Sequence, residues 1–327
     1  MTTKQKIVID LLKRFPNSPL LTLAKKAYKE NPIAFNSLED ARTTVRSWAG
    51  NKPNKQSTGK SVGTNRPKTF NSAIFVMPQS HANTYEPYII KQSKILVLSD
   101  LHFPYQNNEA IVSAINYGKQ KGVNCILLNG DILDFANISR HEPDWRHRNI
   151  NEEFEAVRAF LFELRKHFPN AKIVFKQGNH DERWEKFLYL KAPEIFDMSE
   201  FHLDVLLNFG ELKIDMVKDK LPIKIGKLTV LHGHELQGSG GVNPARATFL
   251  KTISNTLIGH CHRSSQHTEP TMGGDVIVTT SQGCLCELAP MYARINKWNL
   301  GFSYVEHNIK TGEYNLENLK IINGKVY

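Results

Sequence analysis

Five short strings carry most of the chemical character of this chain: Asp100-Leu101-His102, Gly130-Asp131, Gly178-Asn179-His180-Asp181, His232-Gly233-His234 and Gly259-His260-Cys261-His262. Each closes an apolar run with carboxylate, amide or imidazole donors. An Asp-x-His pair sets its two side chains on one side of a strand end, because alternate residues share a face. Asp131 offers two oxygens, enough to bridge cations about 3.5–4 Å apart. Asn179 adds a neutral amide oxygen, and Gly178 permits the tight turn that aims it inward. His232, His260 and His262 add imidazole nitrogens. Together these donors suffice for two adjacent divalent ions, an arrangement suited to attack on phosphorus. Mixed nitrogen and oxygen ligation fits Mn, Fe, Zn or Ni. Mn²⁺ is the expected metal, with Fe, Zn or Ni as alternatives.

Strands must deliver these strings. The patterning predicts strands over 94–99, 124–129, 171–175, 228–231 and 256–258, each running directly into a metal motif. Helices are predicted over 109–121 and 152–167, and further strands over 275–280 and 300–306. Strands alternating with helices argue a layered α/β domain, with functional residues where the strand C-termini meet the loops.

The net charge of +10 is unevenly spread: residues 1–68 hold 14 Lys/Arg against four acids, so the remainder is neutral. Such asymmetry points to a polyanion-binding segment joined to a neutral catalytic one. Residues 1–50 read as three short helices, over 4–15, 20–28 and 38–48, with Ser37 as N-cap of the third. They resemble a helix-turn-helix module whose last helix presents Arg42, Thr43, Thr44, Arg46 and Ser47 to a groove, with Lys25 and Lys26 nearby. The bland alternative is a helical docking domain with a solvated basic face. Residues 51–72 read as a flexible basic linker, giving a division into 1–50, a linker and lead-in over 51–90, and a catalytic domain over 91–327. No apolar stretch approaches the ~18 residues that span a bilayer. The first residues are too charged for a signal peptide. The expectation is therefore cytoplasmic, with no membrane partner. Cys125, Cys261, Cys284 and Cys286 suit a reducing compartment, and Cys284 and Cys286 read as packing or site-lining thiols. Nothing in the sequence fixes an oligomeric state.

The ordered series Asp-x-His, Gly-Asp, Gly-Asn-His-Asp, His and Gly-His-x-His resembles the signature of the calcineurin-like metallophosphoesterase superfamily over roughly residues 94–310. That resemblance implies a four-layer αββα sandwich with a two-metal site at its mouth. It assigns Asp100, His102, Asp131 and His262 to one ion, and Asp131, Asn179, His232 and His260 to the other. His232 rather than His234 is the implied ligand. Asp181 is expected to be a supporting carboxylate. His180 is implied as the general acid that protonates the leaving alkoxide, oriented by Asp134, with a metal-bridging hydroxide as nucleophile. Arg140, Arg183 and Arg263 each follow a metal motif closely and are candidates to clamp phosphate oxygens, with salt bridges as the alternative. His141, Trp145 and His147 lie in a segment placed to roof the site, and Gly238-Ser239-Gly240-Gly241 reads as a mobile loop near its mouth. The strings at 100–105, 130–135 and 283–286 also resemble phage and prophage members of the superfamily, which would place the protein in a host cytoplasm.

Three functions compete. A phosphodiesterase or nuclease acting on nucleic acid joins the metal motifs to the basic N-terminus. A phosphomonoesterase of the protein Ser/Thr phosphatase kind is the alternative, but Phe135 and Asp181 replace the Arg and Glu of those enzymes' motifs. A non-catalytic DNA-binding protein is disfavoured because every ligand position is filled.

Overall fold

The computed structural model describes residues 2–16, 18–49, 80–82, 84–139, 149–238 and 240–327. The proposed linker over 51–72, Arg140, His141, Trp145, His147 and Ser239 lie outside the described residues. The chain divides into two compact units, Met1–Thr84 and Tyr85–Tyr327.

In the first unit, α1 (Thr3–Arg14), α2 (Leu20–Glu30) and α3 (Leu38–Ala49) follow the expected breaks. Thr2 and Gln5 form a capping box at the start of α1, and Ser37 Oγ accepts the Asp40 N–H at the start of α3. Helical spacing puts Val8, Leu11, Leu23, Ala24, Ala27, Ala41 and Val45 in one core. The connection between α2 and α3 spans residues 31–37, longer than the three- or four-residue turn of a helix-turn-helix. Asn31-Pro32 ends α2, and the chain then turns Phe35 into the core before α3 begins. Lys4 of α1 pairs with Asp40 of α3.

The second unit runs β1 (Tyr88–Ile89), β2 (Lys94–Leu98), α4 (Asn108–Lys121), β3 (Cys125–Asn129), α5 (Ile150–His167), β4 (Lys172–Lys176), α6 (Glu182–Lys191), α7 (Leu203–Leu206), α8 (Phe209–Leu212) and β5 (Ile214–Val217). It continues through β6 (Ile223–Ile225), β7 (Leu228–Leu231), α9 (Pro244–Thr252), β8 (Thr256–Ile258), β9 (Ser265–Pro270), β10 (Val276–Ser281), β11 (Gly301–His307), β12 (Tyr314–Ile322) and β13 (Lys325–Val326). One sheet has the order β13-β12-β11-β2-β3-β4-β5, the other β1-β6-β7-β8-β10-β9. Strands β2 to β5 are mutually parallel, as are β7, β8 and β10.

Period-two alternation decides the layers. Ile95, Val97, Leu127 and Val174 meet Ile223, Ile225, Leu228, Val230 and Leu257 of the second sheet. The alternate residues Leu96, Leu98, Ile126, Leu128, Ile173 and Phe175 face Ala110, Ala114, Val157, Leu161 and Leu164 of α4 and α5. Helix α9 packs on the outer side of the second sheet through β8, β9 and β10. The result is the four-layer αββα sandwich. Among the described residues no helix is long and apolar enough to cross a membrane.

Candidate metal centre

The five metal motifs follow β2, β3, β4, β7 and β8 directly, so parallel strands from both sheets deliver them to a common edge. The Asn129 side chain ties the sheets there by donating to the Leu231 carbonyl at 2.8 Å. Past the strands the ladder continues irregularly, with the Asp100 N–H on Gly130 O and the His102 N–H on Asp131 O, both at 3.0 Å. Asp100, His102, Asp131, His260 and His262 all adopt positive φ, between 50° and 62°. That conformation costs on the order of 1–3 kcal/mol per non-glycine residue, and such strain gathers at functional sites. A Cβ on Gly178 would strike the Asp131 side chain and backbone, which explains the glycine at that crossing.

The donors converge on Asp131. Its Oδ2 lies 3.1 Å from His232 Nε2, 3.8 Å from His102 Nε2 and 4.0 Å from His180 Nε2. Asp131, His232 and His260 bring ligand atoms within 4.8 Å of one another, as do Asp100, His102 and His262. Asp100 Oδ1 is 3.1 Å from His262 Nε2, which is itself 3.1 Å from His102 Nε2. Two imidazole nitrogens facing each other at that distance need a proton or a cation between their lone pairs. Asn179 Oδ1 is buried without a hydrogen-bond partner among the described residues. An orphaned amide oxygen, with imidazole nitrogens crowded onto buried carboxylates, is what a cation site requires, so these residues fit a pair of divalent ions.

The far ring nitrogens are anchored. His102 Nδ1 is 2.8 Å from Asp134 Oδ1, and His232 Nδ1 is 2.8 Å from the Asn129 carbonyl. Such partners fix the ring orientation of a ligating histidine. Burial works against charge on His232, yet Asp131 overrides it and raises the imidazole to about 10. His262 is likewise raised to about 9 against its burial by Asp100. His260 falls to about 4 through burial and the neighbouring His232 charge. Asp131 is buried, but His232 and His180 hold it well below the carboxylate range. Without cations, protons on imidazoles balance the buried carboxylates.

His180 Nδ1 lies 2.8 Å from the Asp134 carbonyl and 3.2 Å from Asp134 Oδ1. The Asp134 carboxylate thus serves two rings, with its shorter contact to His102. Burial opposes protonation of His180, and Asp131 and Asp134 together raise its pKa. Arg183 donates to the Asp134 carbonyl at 2.7 Å and sits 3.0 Å from His180 Nε2, inside the site. Arg263 is half-buried, and none of its guanidinium nitrogens bonds a described residue. His234 Nε2 lies 3.0 Å from Glu182 Oε1, and His234 is in none of the ligand clusters around Asp131. In the first unit Lys25 and Arg46 are exposed, Arg42 pairs with Glu39 at 2.9 Å, and Lys26 lies 3.8 Å over the Phe15 ring.

Three supporting groups escaped the sequence reading or gained a definite role. Asp181 accepts four backbone N–H bonds, from Gly178, Asp131, Ile132 and Leu133, and so staples the β3 and β4 loops together. Glu235 accepts the His232 and Gly233 N–H groups and pairs at 2.8 Å with Lys176, which is fully buried. A lysine at the end of the apolar run of β4 was the available signal, because buried lysines need a partner. Trp298 packs edge-on against His262, with ring centroids 4.2 Å apart.

A family model described as calcineurin-like phosphoesterase matches residues 93–281, the stretch that carries every one of these motifs. The chain belongs to the calcineurin-like phosphoesterase family. The chemistry this implies is metal-dependent ester hydrolysis. Solved structures similar to this phosphoesterase include vacuolar protein sorting 29 from Cryptosporidium parvum, at 14% identity and a TM-score of 0.39, covering 72% of this chain and 95% of that one. Vps29 of Chaetomium thermophilum, also at 14% identity, has a TM-score of 0.36 with the same two coverages. YfcE, a phosphoesterase from E. coli, has 13% identity and a TM-score of 0.33, covering 69% of this chain and 98% of that one. No curated protein matches the chain in sequence.

Proposed function

We propose that this phosphoesterase is a phosphodiesterase that cuts nucleic acid, brought to its substrate by the basic N-terminal helices. The observation that carries the reading is the placement of charge: all of the excess +10 falls in residues 1–68, while the part holding the metal motifs is neutral. The strings at 100–105, 130–135 and 283–286 favour kinship with phage and prophage members, whose host would supply the cytoplasm.

Asp100, His102, Asp131 and His262 would hold one ion, and Asp131, Asn179, His232 and His260 the other. When bound, such a pair supplies Lewis-acid polarisation of phosphoryl oxygens and a water acidic enough to attack at neutral pH. As imidazolium, His180 gives its Nε2 proton to the leaving oxygen, while its Nδ1–H donates to the Asp134 carbonyl. Arg183 Nη2 lies 3.0 Å from that Nε2, so it must turn away, toward a non-bridging phosphate oxygen, before the ring can carry a proton there. Asp134 orients His102 and His180 together, so it couples the ligand ring to the acid.

The test uses the full chain with Mn²⁺ on bis(p-nitrophenyl) phosphate, single- and double-stranded DNA, RNA and a phosphopeptide. Replacing Lys25, Lys26, Arg42 and Arg46 with Gln should spare turnover of the small diester and weaken hydrolysis of the polymer. Each lost contact to duplex DNA should flatten the log–log salt dependence by about 0.9. His180→Ala should cost about 10²–10⁴ in rate, most on the poorest leaving groups. Cleavage of the phosphopeptide with none of DNA or RNA would overturn the nucleic-acid reading.

A further inference from the structure

Cys284 and Cys286 take no part in the proposed hydrolysis, yet both are buried free thiols built against one of its rings. With His262 they bring three ligand-type atoms within 4.8 Å of one another. The imidazole of His262 has two faces. Its Nε2 looks toward Asp100 and His102, while its Nδ1 lies 4.0 Å from Cys286 Sγ. A metal-ligating histidine ordinarily sends its second N–H to a carboxylate, a carbonyl or water. Here the second nitrogen meets sulfur, a weak acceptor but a strong soft-metal ligand.

The segment carrying the thiols is fixed on both sides. The Cys284 N–H donates to Asn299 O at 3.0 Å, and its carbonyl accepts the Gly301 N–H at 3.0 Å. Between the two cysteines, the Leu285 N–H donates to Asp100 O at 3.1 Å and its carbonyl accepts the Asn107 N–H at 2.8 Å. The bend at Leu285 leaves both sulfurs within 4.8 Å of a His262 ring nitrogen, with the Cys284 thiol also donating to the Asn299 carbonyl at 3.6 Å.

We propose that Cys284 Sγ, Cys286 Sγ and His262 Nδ1 form a site for one soft cation, such as Zn²⁺, Cd²⁺ or Cu⁺, on the far side of the His262 ring from Asp100. Metal–sulfur bonds of about 2.3 Å put tetrahedral ligands about 3.8 Å apart, and Cys286 Sγ already lies 4.0 Å from His262 Nδ1. A divalent cation replaces the two thiol protons and the proton on His262 Nδ1, all three leaving to solvent, and the pair of thiolates neutralises it. Three protein ligands leave a fourth position open. One ring holds cations on both nitrogens only as imidazolate, so with the soft ion on Nδ1 the Nε2 proton is harder to displace; binding at the Asp100 side weakens, and the weakening is reciprocal. That coupling rests on the phosphoesterase reading; the thiolate site itself does not.

Cadmium titration of the full chain tests it through the ultraviolet thiolate-to-cadmium charge-transfer band. The expected band saturates near one cadmium per chain, survives Cys261→Ser, and is lost in Cys284→Ser and in Cys286→Ser. Cadmium at that loading should weaken Mn²⁺ binding, read by paramagnetic resonance, about 10- to 100-fold in the native chain and not in the two serine variants. Absence of the band in the native chain overturns the site, whatever the variants do. Its persistence in both serine variants does the same. A band without any change in Mn²⁺ affinity overturns the coupling.

Discussion

Filling the metal centre should expel protons, and the structure gives the number. Metal ligands bind deprotonated. In the metal-free site the Asp131 carboxylate, working against burial, keeps His232 protonated up to about 10, and Asp100 keeps His262 protonated up to about 9. His260, lowered to about 4 by burial and by His232, is already neutral, and burial with the His180 charge also lowers His102. Near pH ~7.5, loading both positions should therefore release about two protons per chain from the protein ligands, one from each raised imidazole, besides any lost by the metal-bound water. The product of the two binding constants should climb about 100-fold per pH unit, levelling off as the pH passes through about 9 and then about 10. Titration calorimetry with Mn²⁺ in buffers of differing ionisation enthalpy measures the release directly. Release of less than about half a proton, or affinity independent of pH, would refute the assignment of His232 and His262 as ligands.

Two further expectations concern the frame around the site. Asp181→Ala leaves four buried N–H groups unpaired; at about 1 kcal/mol or more each, the loss is at least about 4 kcal/mol. For a unit of this size that lowers Tm by about 8–16 °C, and a calorimetric shift under about 3 °C would contradict the stapling role. Burial pushes Glu153 up to about 8 from 4.5, despite its bond from the Phe135 N–H. The folded state then keeps a proton that the unfolded state has lost. Its stability contribution is complete below about 4.5 and fades as the pH rises through about 8, by up to about 1.4 kcal/mol per unit. Glu153→Gln should flatten that decline in denaturant melts, and an unaltered pH profile would contradict it.

Much of the fold was legible because the central strands are buried on both faces and end in polar donors. Strands β2, β3, β4, β7 and β8 fall within one or two residues of the positions expected from their apolar runs. The misses share a physical cause. Strand β9, Ser265–Pro270, lies at a sheet edge with mostly exposed side chains, so no alternation marks it and only pairing with β10 makes it a strand. Strand β12 breaks its alternation at Glu317-Asn318 and exists by pairing along the whole of β11. Helix α9 has few buried residues and no strong apolar stripe. At the site, the motif residues announce themselves by type. Their supports do not, because Asp181 meets Asp131 across 50 positions and Glu235 finds Lys176 only once the two sheets face each other. Asp134 shows the same limit: its spacing from Asp131 could not reveal that its carboxylate is shared between His102 and His180.

The most direct measurement is a crystal grown with Mn²⁺ and recorded at the manganese absorption edge. The expected map holds two anomalous peaks about 3.5–4 Å apart, with the Asp131 carboxylate between them and His232 and His262 on opposite sides. A single peak away from Asp131, or none among these side chains, would contradict a two-metal centre.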